Sequence, residues 1–390
     1  GDMFLTGIFP KSIKEKISKA PLKLVKCYNS ENCCGLLQLK NTFSPEEMYG
    51  MNYGYKSSLN PSMVEHLHNH VEKILMEHKP IETDLIIDIG SNDGTTLKKY
   101  PKNFNSLVGI DPTGIKFKEL YTDNLTLISD FFSKELFFQY FKNNKAKIIT
   151  SFSMFYDLEN PFQFMRDIFS ILDDNGVWIF EQSYMPTMLK QNSYDTICHE
   201  HLEFYSITQI KWMTDRIGFN IIDIEFNNIN GGSFSVTVSK REQTIYERNK
   251  INSLILNEAQ MKLSTIEPYM AFKENINNVK INLLNLLNKL KSEGNSISAI
   301  GASTKGNVIL QYCGIDTNLI DFIGEINKDK FGSYTPGTLI PIISEDELLK
   351  TKPDYLLILT WHFEAFFLQS NKFKNCNLIL PLPNVKIINN

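Results

Sequence analysis

An α/β protein with two successive parallel-sheet units is the fold this sequence predicts. Three observations carry that expectation. Short apolar runs separated by helical spacing recur from about residue 84 to 240. The alternation stops for a long helical stretch over 242–293 and then restarts. The composition, 42% hydrophobic and 22% charged over 390 residues, suits two or three globular domains and excludes wholesale disorder.

Residues 1–60 form a Lys-rich amino-terminal region with a cluster of Cys27, Cys33 and Cys34, followed by a Tyr/Gly/Ser segment over Gly50–Ser58. From Pro61 to His78, Met63, Val64, Leu67, Val71, Ile74 and Leu75 recur at helical spacing, which predicts a helix leading into a domain over 61–240. In that domain Leu85–Ile89, Leu107–Ile110, Ala146–Thr150 and Val177–Phe180 read as buried strands of a parallel sheet covered on both faces. Ile221–Ile224 and Ser233–Val238 alternate at period two, as an antiparallel pair closing the sheet would. The third domain, 241–390, opens with helices whose faces are marked by Met261, Leu263, Ile266, Ile281, Leu284, Leu287 and Leu290, with Pro268 as an interruption. Its strands are Ile297–Gly301, Ile320–Ile323, Tyr355–Leu359 and Asn377–Leu380.

The net charge of -4 and the lack of a dense Lys/Arg cluster argue against a nucleic-acid partner. No apolar run is long enough to span a membrane. The start, Gly1–Leu5, has no signal-peptide pattern, and six cysteines in this length are no disulfide framework. The expected compartment is the cytoplasm. The sequence carries no signal of oligomeric state.

Asp88-Ile89-Gly90-Ser91-Asn92-Asp93-Gly94 follows a strand and precedes a helical stretch. Its glycines allow a tight turn and close approach to a ligand. The spacing is neither a dinucleotide fingerprint nor a phosphate-binding P-loop, and an acid before the first glycine suits a cationic or hydroxyl-bearing ligand. Asp111, about twenty residues on, sits where a carboxylate accepts hydrogen bonds from two ribose hydroxyls. Asp130 and Phe131 can offer a carboxylate to an adenine amine and a face to its ring. The plainer reading of these motifs is a tight turn at Gly90 and Gly94 and a helix cap at Asp111.

The densest run of ionisable side chains is Asp195–Ser206, with His199, Glu200 and His201 at its centre. Its histidines are two apart, so a helix would not turn both onto one metal. On an extended segment, one imidazole can face a cleft while the other packs behind it. An imidazole near a carboxylate is suited to proton abstraction near neutral pH. In the third domain, Ser303-Thr304-Lys305-Gly306-Asn307 follows a strand and opens a helix, so hydroxyls, a charge and free amides together suit a diphosphate. Glu325 and Asn327, after the next strand, are placed to hold a ribose or base. Trp361-His362 ends a later strand and can stack on the sugar or base, or be core.

The acid-glycine loop, Asp111 and the Asp130-Phe131 pair resemble a class I S-adenosylmethionine-dependent methyltransferase. Ser153–Leu158, Glu181–Tyr184, His199–His201, Gly231–Ser233, Gly301–Asn307, Tyr312–Ile315, Asn327, Lys330 and Pro336–Ile342 extend the resemblance over nearly the whole chain to the nucleotide-sugar C-methyltransferase family. The resemblance implies three parts: a zinc-binding amino-terminal domain, a class I methyltransferase sheet and a second Rossmann-like domain. It implies S-adenosylmethionine bound by Asp88, Gly90, Asn92, Asp93, Gly94, Asp111, Asp130, Phe131 and Ser153. It also implies a nucleotide-linked 4-keto-deoxysugar, methylated at C3, held by Ser303, Lys305, Asn307, Glu325 and Asn327.

Methylation of a carbon beside a ketone needs a base and a group that stabilises the enolate oxygen. The expected base is His201. Tyr55 and His199 are candidates to orient the ketone, and Glu200 to tune the imidazole. Two departures stand out. Cys198 occupies the place where some family members have a Tyr, so a proton relay through that residue does not carry over. Of the family's two zinc-binding Cys pairs only one is visible, Cys27 with Cys34 or Cys33, and two thiolates do not complete a structural zinc. The other pair is expected upstream of Gly1 or absent. An O- or N-methyltransferase on the same scaffold is the alternative. An NAD-dependent sugar oxidoreductase or epimerase is disfavoured by the missing dinucleotide fingerprint, and a non-catalytic sugar-nucleotide binder by the His-Glu-His run.

Overall fold

The computed structural model describes residues 1–28, 32–43, 48, 55–374 and 376–389; the Gly50–Gly54 part of the Tyr-rich segment lies outside them. The amino-terminal stretch is divided between two partners. Strands β1 (Asp2–Phe4) and β2 (Lys19–Pro21) pair antiparallel, and the Phe4 amide donates to Gln311 Oε1 at 2.9 Å in the far domain. Strands β3 (Leu24–Lys26) and β4 (Leu37–Leu39) form a second small sheet.

Asn60 caps helix α1 (Pro61–His78) by accepting from the Ser62 amide, and Pro61 starts it with φ already helical. The first large sheet follows, with β5 (Ile86–Ile89), β6 (Leu107–Ile110), β7 (Leu125–Ile128), β8 (Ala146–Phe152) and β9 (Leu172–Ser183) all parallel. Helices α2 (Lys134–Phe141) and α3 (Pro161–Ile171) connect its later strands. The chain then makes α4 (Met185–Lys190), passes through the His-Glu-His run and pairs β10 (Glu203–Phe204) with β4. After α5 (Ile207–Ile217), strands β11 (Asn220–Asn227) and β12 (Ser233–Ser239) close the sheet antiparallel, as the period-two alternation predicts. Its order is β11-β12-β9-β8-β5-β6-β7. The crossovers reverse direction at β5, and ligands of open α/β sheets bind beyond such a point. Phe137, Phe155, Trp178 and Phe180 fill one face of the sheet and Val71, Ile74, Leu97 and Ile148 the other. Burying each such side chain contributes about 1.5–3 kcal/mol.

Two long helices, α6 (Ile245–Gln260) and α7 (Glu267–Ser292), lead into the second sheet. Pro268 does not interrupt a helix; it lies in the first turn of α7, where its missing amide hydrogen costs nothing. The second sheet runs β15-β14-β13-β16-β17-β18. Its strands are β13 (Ile297–Ile300), β14 (Ile323–Glu325), β15 (Ile342–Ser344), β16 (Tyr355–Ile358), β17 (Asn377–Leu380) and β18 (Lys386–Ile388), of which only β18 runs antiparallel. Helix α8 (Thr304–Cys313) follows β13, with Ser303 Oγ accepting from the Gly306 amide at its start. Met185, Met188, Ile197, Cys198 and Leu202 share one buried cluster with Leu283, Leu310 and Leu359 of the second unit. The His-Glu-His run therefore lies on the seam between the two units.

Candidate functional site

A cavity of about 330 Å³ opens beyond the carboxyl ends of β5, β6 and β8. Of the residues expected to hold the methyl donor, Asp88, Gly90, Asn92, Asp111, Phe131 and Ser153 line it, and Tyr55 joins them. Gly90 has φ +75, and a Cβ there would stand 3.0 Å from Met154 Cγ. Asp111 makes the cap of the plainer reading and also lines the cavity. Its Oδ1 caps the following turn through the Thr113 amide at 2.6 Å, and its Oδ2 accepts the Asn92 amide at 2.8 Å. Burial pushes the Asp88 carboxyl up to about 7, although Thr150 and Thr96 donate to it.

Asn92 and Asp93 act through another segment. The Asn92 side chain takes the Ser57 amide at 3.1 Å and donates to the Tyr55 carbonyl at 3.2 Å, while Asp93 Oδ2 takes the Ser58 amide at 3.0 Å. They pin the 55–58 stretch over the cavity. Asp93, Gly94 and the exposed Asp130 are not among its lining residues, and Asp130 Oδ1 accepts the Phe131 amide at 2.7 Å.

His201 is in a separate small cavity with Tyr156, Ser183, Thr196 and Glu203. Its Nδ1 lies 2.7 Å from the Thr196 carbonyl, which fixes Nδ1 as the protonated nitrogen, and the Tyr156 ring meets it edge-on at 4.5 Å. Among the described residues nothing engages Nε2. Burial first, then the Lys305 charge, lowers the imidazole to about 3 against the opposing Thr196 bond, so it is neutral at physiological pH. Thr196, not Glu200, orients the ring. Glu200 accepts from Thr6 Oγ1 at 3.4 Å, and burial raises its pKa. His199 points the other way, with Nε2 3.3 Å from the Ala20 carbonyl and its ring against Phe43.

Residues expected to hold a sugar nucleotide are largely committed to the protein. Asn307 Nδ2 donates to the Thr6 carbonyl at 2.7 Å, and Asn327 caps a turn through the Asp329 amide. Glu325 Oε1 accepts the amides of Ile326 and Asn327. Lys305 Nζ crosses the seam to the Asn230 carbonyl at 2.7 Å, its pKa lowered by burial against the charge of Asp195. Trp361 Nε1 donates to Asp195 Oδ2 at 2.9 Å. Around them Gln191 Oε1, Asn192 Oδ1, Ser193 Oγ, Asp195 Oδ1 and His362 Nδ1 are buried without partners. Such orphans are costly unless water or a ligand meets them.

In the cysteine cluster the closest pair is Cys27 with Cys33, Sγ to Sγ 2.9 Å, and Cys34 lies half-buried beside them. Among the described residues no further ligand joins these thiols, so they do not fit a closed structural zinc site. Sequence reasoning missed a different group. His66 and His70 of α1 both meet Glu181 of β9. Histidines four apart on a predicted helix were the available signal.

The methyltransferase domain family matches residues 63–224, and the C-methyltransferase C-terminal domain family matches residues 228–383. The chain is similar to the C-methyltransferase NovU of Streptomyces niveus, 23% identical over 372 residues that cover 94% of this chain and 87% of that protein. Among solved structures it is similar to an S-adenosylmethionine-dependent methyltransferase from Clostridium acetobutylicum, with 14% identity and a TM-score of 0.35 over 45% of this chain and 91% of that one. It is also similar to magnesium protoporphyrin IX methyltransferase from Synechocystis, with 14% identity and a TM-score of 0.35 over 46% and 84%.

Proposed function

From the premise that the chain is an S-adenosylmethionine-dependent methyltransferase, we propose that it methylates a carbon, C3, of a nucleotide-linked 4-keto-deoxysugar. The large cavity fits the donor. Asp111 accepts the ribose hydroxyls there, Phe131 offers its face to the adenine, and Gly90 lets the main chain come close. The donor supplies a methyl group already activated on a sulfonium.

The observation that carries the reading is His201, a neutral imidazole with a free Nε2 at the seam of the two units, beside Lys305 and a group of unpartnered buried polar atoms. A diphosphate drawn to the Lys305 ammonium offsets the charge that depresses His201. Substrate binding then raises the basicity of the imidazole where a carbon-bound proton must be removed. His201 takes that proton, and the Thr196 carbonyl stabilises the imidazolium through Nδ1–H. Gln191, Ser193 and Asp195 meet the hydroxyls of the sugar. Tyr55, over the donor cavity, orients the ketone.

The test is incubation with S-adenosylmethionine and a panel of nucleotide-linked sugars, with and without a 4-keto group, read by mass spectrometry. A mass gain on the 4-keto compounds alone, located on carbon by fragmentation, supports the proposal. Methylation of an oxygen or nitrogen instead would replace it with the alternative chemistry.

A further inference from the structure

Outside the machinery just described, one cluster brings together the donor set of a metal centre. His66 and His70 are four apart on α1, so both imidazoles leave the same helix face. Glu181 comes from β9 on the facing sheet, more than a hundred residues later in the chain. His66 Nε2 is 2.7 Å from Glu181 Oε1 and His70 Nε2 is 2.9 Å from Oε2. One ligand atom from each of the three residues lies within 4.8 Å of the other two, and among the described residues no other such group occurs. The histidines are mostly buried and the carboxylate almost completely so, with 1% of its side chain exposed.

The group is also braced. Asn227 Nδ2 donates to Glu181 Oε2 at 2.6 Å, and His70 stacks on Phe152 with centroids 4.8 Å apart. Such outer contacts orient ligands in metal sites. Glu181 lines the donor cavity, as do Met63 and Leu67 of the same helix and Phe152. A fourth position can therefore face open space, the arrangement that two histidines and one carboxylate make in catalytic rather than closed sites.

We propose that His66, His70 and Glu181 bind one first-row divalent transition ion at the wall of the methyl-donor cavity, bridging α1 to β9. Two imidazoles and a carboxylate suit zinc, cobalt or nickel over magnesium or calcium. With bonds near 2.1 Å, neighbouring ligand atoms in a tetrahedral site stand about 3.4 Å apart, so the two contacts open by roughly half an ångström. Metal binding releases to solvent the Nε2 proton that each imidazole donates to Glu181, so that each ends with its proton on Nδ1 and its Nε2 lone pair on the ion. The ion fixes the helix that carries Met63 and Leu67, and so stiffens one wall of the cavity. The proposal does not rest on the identity of the methyl acceptor.

The experiment uses the full chain, stripped with chelator and titrated with Co(II), in a Cys27→Ser, Cys33→Ser, Cys34→Ser background that removes thiolate binding. The expected result is a visible d–d absorption saturating at one cobalt per chain, and a melting temperature raised by several degrees. His66→Gln and His70→Gln keep a side-chain N–H that can reach Glu181 but supply no imidazole. Each should retain the metal-free melting temperature and lose the cobalt absorption at least tenfold in affinity. No visible band, or a band unchanged in both Gln variants, would overturn the proposal and leave the trio a hydrogen-bonded fastening of α1.

Discussion

The two α/β units begin alike and end differently. In each, the first strand runs into a glycine of positive φ, Gly90 at +75 and Gly301 at +91, beyond which the chain turns away. In the first unit that turn borders an open cavity. In the second, the chain's own amino terminus covers it. Thr6 takes the Asn307 amide, Gln311 pairs with both main-chain groups of Phe4, and Lys305 reaches back to Asn230. Free amides and hydroxyls at a strand-to-helix junction are therefore not sufficient for an open pocket, and the proposed diphosphate would meet this unit at the seam beside Lys305. What lies over the junction decides between a pocket and a seam.

The largest expected effect separates the two by steric means. Gly90→Val should abolish S-adenosylmethionine binding in calorimetry, because φ +75 disfavours a β-branched side chain and Met154 occupies the space. Gly7→Val should leave donor affinity unchanged. A Cβ at Gly7 would collide with the buried Glu200 Oε1 and stand 3.6 Å from Thr304 Oγ1, so it should instead disturb the seam and depress turnover. Equal donor affinity in both variants would erase the distinction.

Lys305→Ala sharpens the comparison. It should weaken a nucleotide sugar at least tenfold while donor affinity stays put. It should also raise the His201 pKa from about 3, since the ammonium is one cause of its depression. Titrating the imidazole by NMR in both proteins reads that shift directly. A drop in donor affinity instead would mean that the units have been assigned the wrong ligands.

Asp111→Ala should weaken S-adenosylmethionine by about 1–3 kcal/mol, the usual cost of leaving buried hydrogen-bonding groups unpaired. Asn327→Ala, in the second unit, should leave donor affinity unchanged.

The smallest effect concerns the contact between β10 and the amino-terminal sheet. Burial raises the Glu203 carboxyl from 4.5 to about 8 against the Tyr205 hydrogen bond. A folded pKa above the unfolded one means stability that is full below pH 4.5 and lost as pH rises through 8. His201 has the opposite sign, its lowered pKa removing stability as pH falls below 6.5. Melting temperature should therefore decline on both sides, and Glu203→Gln should flatten the alkaline decline alone. An unchanged alkaline slope would place the ionisation elsewhere.

What the sequence made legible follows from distance along the chain. The Asp88–Gly94 loop, Asp111 and Phe131 could be placed because strand-end rules are local, and the structure gathers all but Asp93, Gly94 and Asp130 around one cavity. Strands β7, β15 and β18 escaped notice because each holds at most two adjacent apolar residues, with Thr126, Ser344 or Lys386 breaking or ending the run. The His-Glu-His run announced itself by composition, yet its three side chains diverge. The partners that split them, Ala20, Thr6 and Thr196, are set by how the amino terminus crosses the seam. The commitments of Asn307 and Lys305 were invisible for the same reason, since Thr6 and Asn230 are far from them in sequence.

The central claim is that His201 makes the carbon nucleophile, and proton exchange tests it before any methyl moves. The substrate is held in deuterium oxide with S-adenosylhomocysteine in place of the methyl donor, and deuterium beside the ketone is followed by mass spectrometry. The wild-type chain should wash deuterium into that position. His201→Asn should bind both ligands normally and exchange about 10²–10⁴ times more slowly, the usual contribution of a placed general base. Exchange at the wild-type rate in His201→Asn would contradict the account and move the base to another residue.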